Sequence, residues 1–165
     1  MAIGSVLTNT FKEQLLGGYH SFNASGDTPA GSVFKIALYS DADANIGTTT
    51  TIYTAPSDGT ADPTNTKEVT STGSGYTTGG NTLTNTGVAK STVTSYTDFS
   101  DTSWTSASFT ARGCMIYNSS SISGLTLNSS VCTIDFGGDK TVSSGTFTIQ
   151  FPTNDSSDAI IRITS

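Results

Sequence analysis

From Val33 to Ile163 the chain is a succession of short alternating apolar runs cut by turn residues, and this pattern points to β structure. Residues 33–39 (Val-Phe-Lys-Ile-Ala-Leu-Tyr) alternate as a half-buried strand does. Further strands are predicted at 52–54, in two short pieces within 67–83, and at 88–96, 104–109, 114–117, 125–127, 131–136, 145–151 and 159–163. The punctuation is explicit. Pro56, Asp58-Gly59 and Pro63 make 55–66 a loop, and 98–101 reads as a turn. Gly137-Gly138-Asp139-Lys140 and Val142-Ser-Ser-Gly145 separate the last three strands. Many short strands with regular turn signals predict a single all-β domain over 1–165, an antiparallel β-sandwich with jelly-roll connectivity preferred over an immunoglobulin-like one.

Only the beginning differs. Leu7, Phe11 and Leu15 recur every four residues, which predicts one N-terminal helix over about 5–16. Ser5 is the preferred N-cap, with Thr10-x-x-Glu13 as a candidate capping box. Gly17-Gly18 supplies the stop. The apolar stripe is expected to lie as a lid over the sandwich.

Charge then narrows the partners. Charged residues are 12% of the chain, about half the usual share, and serine plus threonine fill roughly a third of it. The net charge is −6, and the seven Lys and Arg are scattered from Lys12 to Arg162. A nucleic-acid partner, which needs clustered cations, is not expected. No apolar run approaches the ~20 residues of a membrane span, and Met1-Ala-Ile-Gly4 lacks the features of a signal peptide. The chain is therefore expected to act in the cytoplasm or in a particle assembled there.

Reaction chemistry finds little to build on. His20 is the only histidine, so any Ser-His-Asp mechanism must use it, yet no Gly-x-Ser-x-Gly elbow is present. Asp41-Ala-Asp43-Ala-Asn45 offers oxygens at alternate positions, as calcium loops do. Ile46 stands where such a loop needs glycine, and Ile52 where it needs the bidentate Glu, so a surface turn is the better reading. The remaining acids, among them Asp27, Asp58, Asp62, Asp98, Asp101, Asp155 and Asp158, sit at turns, where aspartate bonds its own backbone. Cys114 and Cys132 lie in apolar strands and read as buried thiols; two Cys and one His make no zinc site. A disulfide between neighbouring strands is the alternative, unusual for a cytoplasmic product. Trp104, the single tryptophan, reads as a core residue, with stacking on a sugar as the rival. The Asn-x-Ser triplets at Asn23, Asn118, Asn128 and Asn154 are expected by chance in so serine-rich a chain. No catalytic, cofactor-binding or metal-binding residue is assigned.

Four blocks carry a resemblance. They are Phe34-Lys-Ile-Ala-Leu-Tyr39; Glu68-Val followed by Gly73-x-Gly75-Tyr76-Thr-x-Gly-Gly80; Trp104 with Ala111-Arg-Gly113 and Ile116-Tyr-Asn118; and Asp135-Phe-Gly-x-Asp-Lys-Thr141 followed by Gly145-Thr-Phe-Thr-Ile-Gln-Phe-Pro152. In this order they resemble small structural virion proteins of tailed bacteriophages, including phages of cyanobacteria and other aquatic bacteria. The likeness spans about 11–163. It implies a virion component with no enzymatic activity and no cofactor. The expected role is capsid decoration (a cement protein) on the outer shell, as a homotrimer at three-fold or quasi-three-fold positions, bound to the major capsid protein. The alternatives are a tail, baseplate or fibre-associated protein, or a carbohydrate-binding module for the host surface. No nucleic acid, membrane or small-molecule substrate is expected as a partner.

Overall fold

A computed structural model describes residues 3–40, 46–54 and 67–165. The chain is all-β and antiparallel, with one short helix. In chain order the elements are β1 (Val6–Leu7), α1 (Asn9–Leu16), β2 (Phe34–Tyr39), β3 (Asn81–Thr82), β4 (Asn85–Ser91), β5 (Thr94–Phe99), β6 (Thr102–Asn118), β7 (Ser129–Ile149) and β8 (Ile161–Thr164). Five strands form one sheet in the order β1-β7-β6-β2-β3, and three form another in the order β4-β5-β8. The jelly-roll connectivity is a finer expectation that these orders do not establish. The expected loop at 55–66 and the oxygen-rich turn at 41–45 lie outside the described residues.

The helix begins later than its apolar stripe suggests. Val6 and Leu7 are drawn into the sheet, paired with Thr133 and Cys132 of β7. Thr8 is therefore the N-cap: its hydroxyl accepts from the Phe11 N–H at 3.2 Å. Ser5 instead accepts from the Asp135 N–H at 3.0 Å, and the Thr10–Glu13 box plays no capping role. The stop is as expected. Gly18 takes φ +73, the Tyr19 N–H reaches the Gln14 carbonyl at 3.0 Å and the Gly18 N–H reaches that of Leu15 at 3.1 Å. These two bonds are the paired closure of a Schellman motif. Phe11 is fully buried in the main core, with Leu7 and Leu15 packed against it, so the helix does cover the sheet.

Strand β2 is buried on both faces rather than one. Phe34, Ile36 and Leu38 join Cys114 and Ile116 of β6 in the main core. The alternate residues Ala37 and Tyr39 join Met115 and Tyr117 in a second cluster with Ile3, Ile46 and Tyr53. The two-residue period places each set on its own side of the sheet.

The longest elements were expected as four separate strands and form two. Strand β6 runs 17 residues and β7 runs 21, paired from Thr102↔Ile149 to Asn118↔Ser129. The ribbon is strongly curled. Phe136 and Phe147, eleven residues apart on β7, have ring centroids only 6.4 Å apart, where straight extended chain would separate them by about 36 Å. The bend sits where Gly113 pairs with Asp135 but Ala111 pairs with Lys140, so Phe136-Gly-Gly-Asp139 bulges out of register. Arg112 closes this corner with a 3.1 Å bond from Nε to Asp135 Oδ1. The glycine pair that reads as a turn is thus a bulge in a continuous strand. The inside of the curl brings Trp104, Ala107, Phe109 and Ala111 onto the same core as β2.

Other boundaries shift for local reasons. The run at 88–96 is a hairpin, β4 and β5, joined through Thr92-Val93 with Thr92 at φ +51. Residues 125–127 form turn rather than strand, and 52–54 and 67–80 contribute only the isolated bridges Ile52↔Ser129 and Tyr39↔Glu68.

Candidate functional site

The side chains able to do chemistry lie inside the fold, beginning with His20. It follows the Gly17-Gly18 turn and is 7% exposed, with its ring against Phe11 at 5.0 Å and near Phe34 at 6.2 Å. Its Nε2 lies 2.9 Å from Gln14 Oε1 and its Nδ1 lies 3.0 Å from Asn118 Nδ2. The Gln14 amide nitrogen donates to Ser129 Oγ, and the Asn118 oxygen accepts from the Ser120 N–H. Those outer bonds orient both amides, so His20 donates through Nε2 and accepts at Nδ1. The imidazole is neutral, and burial lowers its pKa to about 4. Both nitrogens are committed to amides. Its role is to tie α1 to the end of β6.

The densest polar constellation surrounds Glu68, which sequence reading quoted only as part of a block. Glu68 is 8% exposed. Its Oε1 accepts from the Tyr76 hydroxyl at 2.7 Å and the Gly79 N–H at 2.6 Å, and its Oε2 accepts from the Tyr53 hydroxyl at 2.9 Å. Tyr76 in turn accepts from the Leu38 N–H at 3.1 Å. Tyr117 donates to the Gly79 carbonyl at 2.8 Å and stacks on Tyr53 with centroids 4.4 Å apart. Burial pushes the Glu68 pKa up, opposed by the Tyr76, Gly79 and Tyr53 hydrogen bonds and by the nearby Lys35 charge. Burial, followed by the Glu68 charge, also raises the Tyr76 phenol well above its ordinary value. The cluster pins 67–80 to the edge of β2, where the Val69 N–H bonds the Leu38 carbonyl and the Ser40 N–H that of Lys67. Its partners come from separate stretches of chain, so no local spacing announces it.

The two thiols are free, buried and in the main core. Cys114 faces Ile134 and Cys132 faces Ile116 across the β6–β7 ladder, so the cysteines are not directly opposed. Burial raises both thiols, Cys132 to about 12, which leaves them protonated and unreactive. Trp104 is 3% exposed among Tyr76, Phe109 and Phe147, with no open face for a sugar. Its indole N–H has no protein partner.

Of the acids expected to bond their own turns, Asp27 and Asp155 do so, whereas Asp98 lies inside β5 and Asp101 reaches backbone distant in sequence. Asp27 accepts from the Ala24 N–H, Asp101 from that of Phe151, and Asp155 from those of Ser157 and Asp158. Asp98 is 1% exposed and holds the Phe99 and Ile160 N–H groups; burial raises its pKa. Asp135 is held low, first by the Gly137 N–H and then by Arg112. Among the described residues no three His, Cys, Asp or Glu side chains are grouped to hold a metal ion. Asp41, Asp43, Asn45, Asp58 and Asp62 lie outside them. Asn118 is fully buried, so its triplet is no glycan acceptor in the folded chain.

One apolar groove of about 550 Å³ opens inside the curl of β7, lined by Ile134, Phe136, Phe147, Ile149, Phe151 and Cys114, with Lys140 its one charged residue. A smaller hollow of about 270 Å³ lies between His20, Phe22 and the β4-β5-β8 sheet. Compared with known proteins, the chain matches no family model, no curated protein and no solved structure.

Proposed function

We propose that the chain is a structural protein of a phage virion, a capsid decoration protein that binds the outer face of the major capsid shell and stabilises it. The observation that carries the reading is how the side chains are deployed. His20, Glu68, Cys114, Cys132 and Trp104 are all buried in the packing. The residues exposed along the strands are largely hydroxyl-bearing, as at Thr105, Ser106, Thr146 and Thr148. Such a surface offers many hydrogen bonds at small desolvation cost, which suits a protein that works by contact. The four sequence blocks supply the phage context. Copies of the chain assemble with closed symmetry, a homotrimer at three-fold positions, and many weak contacts to the shell add up. The acidic surface faces away from the packaged DNA, and the site of action is the virion assembled in the host cytoplasm. Quantitative mass spectrometry of purified particles tests this. Hundreds of copies per particle are expected. A handful, retained on separated tails, would move the chain to the tail, and its complete absence from particles would end the reading.

A further inference from the structure

Leu16 is the most exposed large apolar side chain among the described residues, at 92%. It ends α1, just before the Gly17-Gly18 stop. Leu127, 55% exposed, belongs to the same end of the molecule. The Tyr19 ring lies against both Gly17 and Gly124. The Ser129 hydroxyl accepts from the Gln14 amide and donates to the Thr126 carbonyl. The two leucines therefore stand on one protrusion, and Phe11 anchors its helix in the core. A single exposed leucine is ordinary, but two on one anchored end form a knob. Glu13 is exposed and three residues before Leu16, so it shares that side of the helix. It has no ion pair among the described residues, whereas Lys12 bonds Asn9 Oδ1 at 3.4 Å.

The complementary hollow lies elsewhere. The groove of about 550 Å³ inside the curl of β7 is walled by Phe136, Phe147, Ile149 and Phe151. All four are only partly buried, so the core is incompletely covered there. Lys140 is the one charged residue of the groove and has no ion pair among the described residues. Leu16 does not line the groove, and α1 is pinned by Phe11, so a chain does not fill its own groove with this knob.

We propose that the Leu16–Leu127 knob of one copy seats in the groove of the next, with Glu13 beside Lys140 of the partner subunit. Two features select another copy as the occupant. The chain itself supplies an apolar knob that nothing among its described residues covers. The unpaired charge beside the knob is also opposite in sign to the unpaired charge in the groove. An apolar side chain in a desolvated hollow with a polar rim is the anatomy of an interface hot spot. Knob and groove are different surfaces, so the contact is heterologous, each copy offers one of each, and the chain of contacts closes into a ring. Three copies close it in the homotrimer of the proposed function, and the number three rests on that reading.

Sedimentation equilibrium of the purified chain across a concentration series tests this. A species of three times the 17.0 kDa chain mass is expected. Leu16→Lys suits a helix C-terminus and leaves the core untouched. It is expected to raise the concentration of half-dissociation about tenfold or more, with wild-type near-ultraviolet dichroism. Glu13→Lys and Lys140→Glu, both at exposed positions, should each weaken the trimer, and the two together should restore it. A wild-type monomer or dimer at every concentration, an open polymer, a trimer indifferent to Leu16→Lys, or charge reversals that do not compensate would each overturn the proposal. If Leu16→Lys disturbs the fold, the compensation between the charge reversals decides alone. The two readings fail separately. A trimer that ignores Leu16→Lys leaves the shell reading intact, whereas particles lacking the chain end the shell reading and leave the contact in solution standing.

Discussion

Glu68 shows what a single carboxylate does once it is taken out of water. Removing it takes this shared acceptor from the Tyr53 and Tyr76 hydroxyls and from the Gly79 N–H at once. Losing partners for buried donors costs more than the bonds themselves contributed. Glu68→Ala is expected to lower unfolding free energy by about 3 kcal/mol in urea titration, and Glu68→Gln, which keeps one acceptor oxygen, by about 1 kcal/mol. His20 gives a pH signature of definite sign. Its folded pKa of about 4 is below the ordinary 6.5, so the unfolded chain takes up the proton first as pH falls. The stability linked to His20 is complete above about pH 6.5 and is lost between there and pH 4, up to about 3 kcal/mol. Glu68 and Asp98, whose pKa values are raised, run the opposite way. The comparison is therefore made between wild type and His20→Gln: urea midpoints at pH 7.5 and 4.5 should differ less in the variant. At this scale the sequence placed Trp104 and the cysteines inside correctly. It could not reveal Glu68, because the tyrosines that bind it are brought together only by the fold.

At the scale of elements, backbone conformation decides what side-chain pattern leaves open. Gly80 sits at φ +71, just before β3, and a Cβ there would run into the Ile36 carbonyl of β2. Both the left-handed conformation and the close approach call for glycine. Gly80→Ala is expected to cost about 3 kcal/mol, read as a lower urea midpoint with an unchanged slope. The same reasoning shows where strand boundaries were legible. Alternation located β2, the head of β6 at Trp104 and the last strand. It misjudged β7, because glycine marks a bulge as readily as a turn. It missed the β4–β5 turn for the opposite reason: Thr92-Val93 carries no turn residue, and the hairpin is enforced by pairing with β8 and the core beneath. The helix start moved because two residues with helical spacing were claimed by β7.

For the molecule as a whole, one ribbon supplies much of what surrounds the core, and the thiols report on its integrity. Cys114 is fully buried and Cys132 is 4% exposed, on neighbouring strands of that ribbon. Neither is expected to react with an aromatic disulfide reagent in the native protein, and both should react together, at a rate that rises with urea as global unfolding does. Early labelling of one thiol alone would show that the curl opens independently of the rest. The all-β class was readable because hydroxyl-rich alternating runs have few other ways to bury their apolar sides. The curl was not, since it depends on a register slip between strands distant in sequence.

The order of synthesis gives that ribbon a further consequence. Strand β6 leaves the ribosome well before β7, and although β2 is there to pair with its end, its ladder with β7 is complete only when Ile149 has emerged. A nascent chain halted in the 119–128 connection would hold β2 and half a ribbon, with the core open to chaperones and to neighbouring nascent chains. Completion of this fold therefore follows synthesis through β7 and β8, and chains arrested in the 119–128 connection should bind trigger-type chaperones that chains extended beyond β8 release.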